Sequence, residues 1–438
     1  MFQTYDDVNR FLQLEHPGEM KMGLERMRAV LQKMQHPEKK LTCIHVAGTN
    51  GKGSVIAMLH AIFKEAGYTV GTFTSPYLEC VTDHIHYQGE AIPHEKLQDI
   101  LHKLKQPADE VKKEGYGSLS EFEAMTAAAF LYFAEEQPDI CLIEAGLGGL
   151  TDATNVITPL VSVITSIGYD HMNILGRTLA EIAHHKAGII KEGVPVITAV
   201  KKQEPKEVII NTAKKVAAPL ECAGMTYQTE RTAVKQRGQE VFYVTTQDDK
   251  KGPYPLSMLG AHQVDNAGIV VMTIEALNRR YGFTISEEAL TNGLQKASWS
   301  GRFEYVAAPF PLLVDGAHNP ESMTALLQTL RDHAPKTRFH ILFGALQDKD
   351  VHEMLTPLEE VALSITFTDF SHHRAQKGEM LRAQCSLSET YYEKDWHEAI
   401  RRWLQKGSQT EPLLLTGSLY FIAEVRSYLL QKISEMNV

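Results

Sequence analysis

The stretch "HVAGTNGKGSVIAML", residues 45–59, decides the fold. It sets a glycine-rich turn between a short apolar run and a segment with helical spacing. The common phosphate-binding loop reads G-x-x-x-x-G-K-[ST], and its last hydroxyl reaches a magnesium ion. Here Val46 stands at the first glycine position and Gly53 at the hydroxyl position. Gly48, Gly51 and Gly53 still let backbone N–H groups close around phosphate oxygens, and the helix that follows offers its positive N-terminal end. Lys52 adds a point charge for the β- and γ-phosphates. The competing reading is a plain turn joining strand to helix. The flanking strand and helix, with G-K-G-S between them, favour a nucleotide.

Working outward, the first half alternates strand-like and helix-like segments. "LTCIHVA" (41–47) is apolar and β-rich, and "SVIAMLHAIFKEAG" (54–67) is a helix closing on a glycine. "YTVGTFTS" is a second strand. "SEFEAMTAAAFLYFAEE" (120–136) is a buried helix capped by its serine. "DICLIEAG" and "LVSVITSIG" are buried strands, and "TLAEIAHHKAGIIKEG" is a helix ending at Gly193. Such alternation predicts a parallel sheet covered on both faces. Between 228 and 260 the pattern changes to a hairpin turning at Arg237-Gly238, followed by "KKGPYP" as a loop and a helix from about Asn266. "WSGRFE" (299–304) is a linker, after which αβ alternation resumes. The expected fold is α/β: a phosphate-loop parallel-sheet ATPase domain over residues 1–299 and a smaller Rossmann-like α/β domain over 300–438.

The bulk properties agree with a two-domain enzyme. The chain has 438 residues, 43% of them apolar, enough for two cores. A net charge of −10 argues against a nucleic-acid partner held by its phosphates. Five scattered cysteines without a C-x-x-C pair suggest reduced thiols rather than disulfides or zinc. The first residues lack a signal-peptide pattern, and no run reaches the ~18 apolar residues of a membrane span. A soluble, cytoplasmic protein is expected.

If Gly53 supplies no hydroxyl, the metal site must be completed elsewhere. Ser75 lies just past the second strand, at the carboxyl edge where parallel sheets bind ligands. Glu144 ends the strand "DICLIEAG", and His171 follows the strand at 161–165. Three ligands from three strand ends make a magnesium site, though histidine is unusual for so hard a cation. Singly, each has a plainer explanation: a turn serine, a helix-capping glutamate, a loop histidine. Their shared placement beside the phosphate loop favours the metal.

The whole set resembles the folylpolyglutamate synthases, a family that includes dihydrofolate synthases and is related to the murein peptide ligases. The stretches that carry the resemblance run in order: "HVAGTNGKGS" (45–54), "FTSPYL" (73–78), "EFEAMTAAAF" (121–130), "EAGLGG" with "DATNV" (144–156), and "ITSIGYDHMNILGRTLAEIA" (164–183). "KAGIIK" (186–191), "LGAHQVDNA" (259–267), "WSGRFE" (299–304), "DGAHNP" (315–320) and "TGSLYF" (416–421) complete them. The phosphate loop begins too early to follow the UDP-binding domain of a murein ligase.

The resemblance implies an ATP-dependent ligase adding L-glutamate to the γ-carboxylate of a reduced folate through an acyl phosphate, in a cleft between two domains. Gly48, Thr49, Asn50, Gly51, Lys52, Gly53 and Ser54 would cradle the nucleotide, and Ser75, Glu144 and His171 match the family's magnesium ligands. Lys186 matches a lysine that the family carbamylates, against the alternative of an ordinary exposed lysine. Arg302, Asp315 and Asn266 match nucleotide contacts, and His318 a residue near the transferring phosphate. The implied partners are reduced folate, glutamate and ATP with Mg2+, no nucleic acid and no membrane, and the implied state is a monomer.

Three positions depart from the family pattern. "GLGGL" places Leu150 where arginine is usual, "DHI" (Asp83 to Ile85) replaces "ERI", and His185 precedes the lysine in place of glutamate. Two of these remove positive charge if His84 is neutral. Rival readings are a dihydrofolate synthase, an enzyme doing both reactions, a nucleotide-binding regulatory paralogue without catalysis, and a generic kinase or ATPase. The matching second domain speaks against the last.

Overall fold

The protein, described by a computed structural model, is defined over residues 23–77, 80–232, 239–306, 311–406 and 411–436. It divides into two compact units. One holds the chain up to Glu230 with Phe242–Pro255 and Asp265–Ala297; the other holds Arg231–Val241, Leu256–Val264 and the chain from Ser298 onward. The break at Ala297/Ser298 adjoins the linker "WSGRFE", and the two short segments belong with the later part of the chain.

The first unit is built on eight strands: β1 (Cys43–Ala47), β2 (Val70–Phe73), β3 (Ile85–Tyr87), β4 (Glu90–Ala91), β5 (Ile140–Glu144), β6 (Val161–Ile164), β7 (Val196–Thr198) and β8 (Leu220–Cys222). Their order is β4-β3-β2-β5-β1-β6-β7-β8. The six from β2 to β8 in that order run parallel, while β3 and β4 are antiparallel additions. Every residue of β1, β5 and β6 is buried, as continuous apolar runs covered on both faces should be. One face packs the helices His94–Val111 and Glu121–Glu136 through Leu97, Leu101, Met125 and Phe133. The other packs Leu179–Ala187 and Gln203–Lys215 through Ile182, Ala183 and Ile209. Ser120 caps its helix as expected, with Glu123 closing a capping box.

Strand register positions the site. Val46 of β1 pairs with Glu144 of β5, and Ala47 with Ile164 of β6. The loops leaving β1, β5 and β6 therefore emerge side by side at one sheet edge.

Three local expectations need correction. The helix expected to reach Gly193 ends at Ala187 with Gly188 as its C-cap, and Gly188 lies under Leu150: an added Cβ there would sit 2.4 Å from the Leu150 Cα. "KKGPYP" is not a loop but most of β11 (Lys250–Leu256), in the three-stranded sheet ordered β11-β10-β9, with β9 at Tyr227–Arg231 and β10 at Glu240–Thr246. Pro253 is tolerated because β11 is an edge strand. The following helix starts at Ala261, not Asn266, directly after Gly260 in a positive-φ conformation. The turn expected at Arg237-Gly238 lies outside the described residues.

The second unit carries β12 (Glu304–Val306), β13 (Leu312–Val314), β14 (Phe339–Phe343), β15 (Ala362–Asp369), β16 (Thr390–Asp395) and β17 (Leu413–Thr416), ordered β12-β13-β17-β14-β15-β16. All but β12 are parallel. Helices Pro320–His333 and Val351–Glu359 cover one face, and Trp396–Lys406 and Leu419–Met436 the other. No helix among the described residues is long and apolar enough to cross a membrane.

Candidate active site

The turn between β1 and the helix Lys52–Glu65 is shaped by two glycines. Gly48 (φ 155°) leaves no room for a side chain, since a Cβ would fall 1.8 Å from the Thr165 hydroxyl oxygen. Gly51 (φ 93°) caps the helix in a left-handed conformation and faces Asn266, whose Oδ1 would lie 2.5 Å from an added Cβ. Asn266 is thus brought to the phosphate loop. A left-handed non-glycine costs about 1–2 kcal/mol, and here it must also displace a buried amide. Gly51→Ala is therefore expected to weaken ADP binding about tenfold and lower the melting temperature by a few degrees, read by calorimetry. Unchanged affinity would remove Gly51 from the phosphate cradle.

The loop is braced by the exit of β6. Thr49 N–H donates to the Ser166 carbonyl at 2.9 Å, and Asn50 N–H to Ser166 Oγ at 3.0 Å. The Thr165 and Ser166 hydroxyls both donate to the Asn50 carbonyl, at 2.6 and 2.9 Å. With the Thr49 and Asn50 N–H groups already donating to Ser166, the amides that can meet a phosphate are those at the head of the 14-residue helix.

Lys52 reaches back along the loop. Its ammonium donates to the Gly48 carbonyl at 3.1 Å and lies 3.7 Å from Glu144 Oε1. Glu144 is buried (3% exposed), and its Oε2 accepts from the Ser75 backbone N–H at 3.2 Å. The structure thus draws together Lys52, Glu144 and Ser75. The contact runs through the Ser75 backbone; a carboxylate and a serine oxygen are the donor types that suit a hard divalent cation. His171 is placed differently. It sits at φ 50° ahead of a one-turn helix on an exposed loop, with Nε2 3.9 Å from Asp170. Among the described residues, no three His, Cys, Asp or Glu side chains form a ready-made metal cluster.

Lys186 is not an ordinary surface lysine. It is 4% exposed, and burial, helped by the positive charge of Lys52, pulls its pKa down to about 7. Asp170 and Asp152 oppose that shift only in part. Asp152 is itself buried, which raises its pKa, although it accepts hydrogen bonds from Leu147 N–H (2.7 Å) and from the Thr154 N–H and hydroxyl (3.0 and 2.5 Å). The Thr154 oxygen in turn accepts from His45 Nε2 at 2.8 Å. Burial holds His45 near a pKa of about 3, so this ring is neutral. Neither spacing nor periodicity in "DATNV" marks its part in this chain of hydrogen bonds. Its only sequence signal was polar residues inside otherwise apolar segments.

The three departures are also placed. Leu150 is 38% exposed, and its N–H donates to the His185 carbonyl at 2.7 Å. The His185 Nδ1 is buried and has no hydrogen-bond partner among the described residues, and burial lowers its pKa. His84 is buried, its Nδ1 donating to the Thr74 carbonyl at 2.6 Å; burial lowers its pKa and keeps it neutral, while Asp83 caps the turn by accepting from Cys80 N–H.

In the second unit, Asp315 leaves β13 and accepts from the Phe303 and Ala317 N–H groups, both at 2.8 Å. Burial raises its pKa, against the nearby Arg302. Arg302 donates to the Gly316 carbonyl at 3.3 Å, and His318 Nδ1 donates to the same carbonyl at 2.8 Å. All three therefore cluster around Gly316, just ahead of the helix Pro320–His333, which Asn319 caps.

Comparison with known proteins identifies the family. The Mur ligase middle domain matches residues 46–274, and the Mur ligase glutamate ligase domain matches 301–419. The dihydrofolate synthase/folylpolyglutamate synthase of Bacillus subtilis (strain 168) is 40% identical over 430 residues, covering 98% of this chain and 100% of the relative. The crystal structure of a Thermotoga maritima folylpolyglutamate synthase matches with a TM-score of 0.84 at 32% identity, over 97% of this chain and 96% of that one. A bifunctional folylpolyglutamate synthase/dihydrofolate synthase from Yersinia pestis, complexed with AMPPNP and a manganese ion, matches with a TM-score of 0.85 at 25% identity, over 97% of each chain. With both domains matched in order and relatives of one kind aligned end to end, the chain belongs to the folylpolyglutamate synthase/dihydrofolate synthase family of the Mur ligases, ATP-dependent enzymes that form amide bonds.

Proposed function

We propose that this protein joins L-glutamate to the γ-carboxylate of a reduced folate, with ATP first converting that carboxylate to an acyl phosphate. The observation that carries the reading is Lys52 at the head of the phosphate-loop helix, 3.7 Å from the buried Glu144. A carboxylate resists attack by an amine because it is anionic and has no leaving group. Transfer of the γ-phosphoryl supplies one, and the glutamate amine then adds to the acyl carbon and expels phosphate. The loop amides and Lys52 hold the phosphates and offset charge that builds as the phosphoryl moves.

A divalent cation, manganese in the Yersinia relative, supplies further neutralisation of the phosphates. Glu144 and Ser75 would hold it as oxygen ligands, and His171, from the exposed loop after β6, would add a ring nitrogen. Lys186, about half unprotonated near neutral pH, is nucleophilic enough to take up carbon dioxide. Its nitrogen attacks the carbon, one proton leaves, and the buried cation becomes an anionic carbamate. In the second unit, family resemblance makes Arg302 and Asp315 the candidate nucleotide contacts and His318 the candidate for the transferring phosphate.

A second reading is an enzyme that also joins glutamate to dihydropteroate, because the 40% identical relative carries both activities in its name. The test is ADP release by the purified protein with ATP, magnesium and glutamate. Release with tetrahydrofolate and a product one glutamate heavier is the expected result. Release with dihydropteroate as well would establish the dual activity, and release with dihydropteroate alone would replace the first reading. ADP binding without release on either substrate would favour a regulatory paralogue.

A further inference from the structure

The last carbonyls of a helix are short of intrahelical donors. At the end of Leu179–Ala187, the helix that carries Lys186, two carbonyls are met from outside. The Leu150 N–H donates to the His185 carbonyl at 2.7 Å. The Asn155 side-chain amide donates to the Gly188 carbonyl at 3.1 Å and, with its other proton, to the Leu150 carbonyl at 3.1 Å. Leu150 and Asn155 thus hold the chain one residue before Lys186 and two residues after it. The loop involved leaves β5 directly after Glu144 and lies flat on the helix backbone. An added Cβ at Gly149 would fall 2.9 Å from the His185 carbonyl oxygen and 3.0 Å from that of Lys186. Lys191 orients the Asn155 amide, since an ammonium can only donate and its nitrogen lies 2.7 Å from Oδ1. Nδ2 is thereby left for the two carbonyls. Asn155 is 5% exposed, so water competes little for these bonds.

We propose that Asn155 is a positioning residue for Lys186, tying the last turn of its helix to the loop after β5. The proposal rests on the role given to Lys186 above. Lys186 is buried, so a shift of its backbone moves its nitrogen relative to the groups it serves. The Asn155 side chain bonds to Leu150, Gly188 and Lys191, none of which is assigned to the nucleotide or the metal. Its influence on the reaction therefore passes through the turn it holds. An aspartate here has the same shape and still accepts from Lys191. It turns a carboxylate oxygen toward the Leu150 and Gly188 carbonyl oxygens, however, and two attractions become two repulsions.

The test is a double-mutant cycle on turnover of the full chain, with ATP, magnesium, glutamate and either tetrahydrofolate or dihydropteroate. Asn155→Asp is expected to lower kcat about tenfold, with KM for ATP within about twofold. In the Lys186→Ala background the same substitution is expected to cost less than about twofold, because a residue that acts through Lys186 has nothing left to place. A merely structural role lowers both backgrounds by one factor, so equal losses overturn the positioning alone. Wild-type kcat in Asn155→Asp does the same. Full activity of Lys186→Ala overturns the reading of Lys186 and the positioning with it, and absence of turnover on both substrates overturns the proposed function as well. If Asn155→Asp does not fold, Lys191→Met, which leaves the amide unoriented, goes through the same cycle. A loss of about threefold that appears only when Lys186 is present supports the positioning, and any other pattern overturns it.

Discussion

Lys52→Ala is expected to lower turnover by on the order of 10²-fold or more while leaving a folded protein. The ammonium is the one side-chain charge that the phosphate loop itself contributes, and it stands between the Gly48 carbonyl and Glu144. Its loss removes a cation from the place where negative charge accumulates as the phosphoryl leaves ADP. It also leaves the buried Glu144 carboxylate with less compensation, which is stabilised again if a divalent cation is bound. Melting temperature should therefore fall by only a few degrees and recover on adding magnesium, whereas turnover should not recover. Wild-type-like turnover in this variant would sink the phosphate assignment.

Lys186→Ala is expected to lose activity by a similar factor, on the order of 10²-fold, and to regain part of it with formate or acetate, small carboxylates that stand in for a carbamate. Full activity without rescue would show that no carbamate is needed. Stability offers an independent check. In the folded chain the unmodified lysine sheds its proton near pH 7, while in the unfolded chain it keeps it to the ordinary value of 10.5. Between those values the unfolded state binds more protons, so folding stability rises with pH and the penalty is largest below about 7. Comparing denaturation of wild type and Lys186→Met in bicarbonate-free buffer, the wild type should gain relative to the variant from about pH 7 to 9. A flat difference would mean that Lys186 is not buried as a bare amine.

Much of this was legible in the sequence because the relevant signals are local. The apolar run of β1, the glycines after it and the helical spacing beyond can be read from one short stretch. Glu144 was legible as the last residue of an apolar strand, and Ser75 as the first polar turn after another. What escaped depends on contacts between distant segments. The chain from His45 through Thr154 to Asp152 joins residues 109 positions apart, and no periodicity announces such a network. The burial of Lys186 is equally hidden, since a lysine near the end of an amphipathic helix normally points to water. Gly252-Pro253 suggested a loop because proline removes a ladder donor, but an edge strand has a side on which that loss does not matter. The six-residue excess given to the helix after Thr178 came from treating Gly193 as the cap, when Gly188 takes that place.

The strand order has a consequence for biosynthesis. β1 lies between β5 and β6, both made much later than the glycine loop that β1 feeds. A nascent chain that has not yet delivered β6 has the loop but neither Thr165 nor Ser166 to brace it, and one lacking β5 has no Glu144 opposite Lys52. Nucleotide binding therefore arises only once these late strands have been released from the ribosome and inserted beside β1. A stalled or truncated product carrying the glycine loop alone is expected to be inert rather than a partial ATPase that consumes the cell's nucleotide.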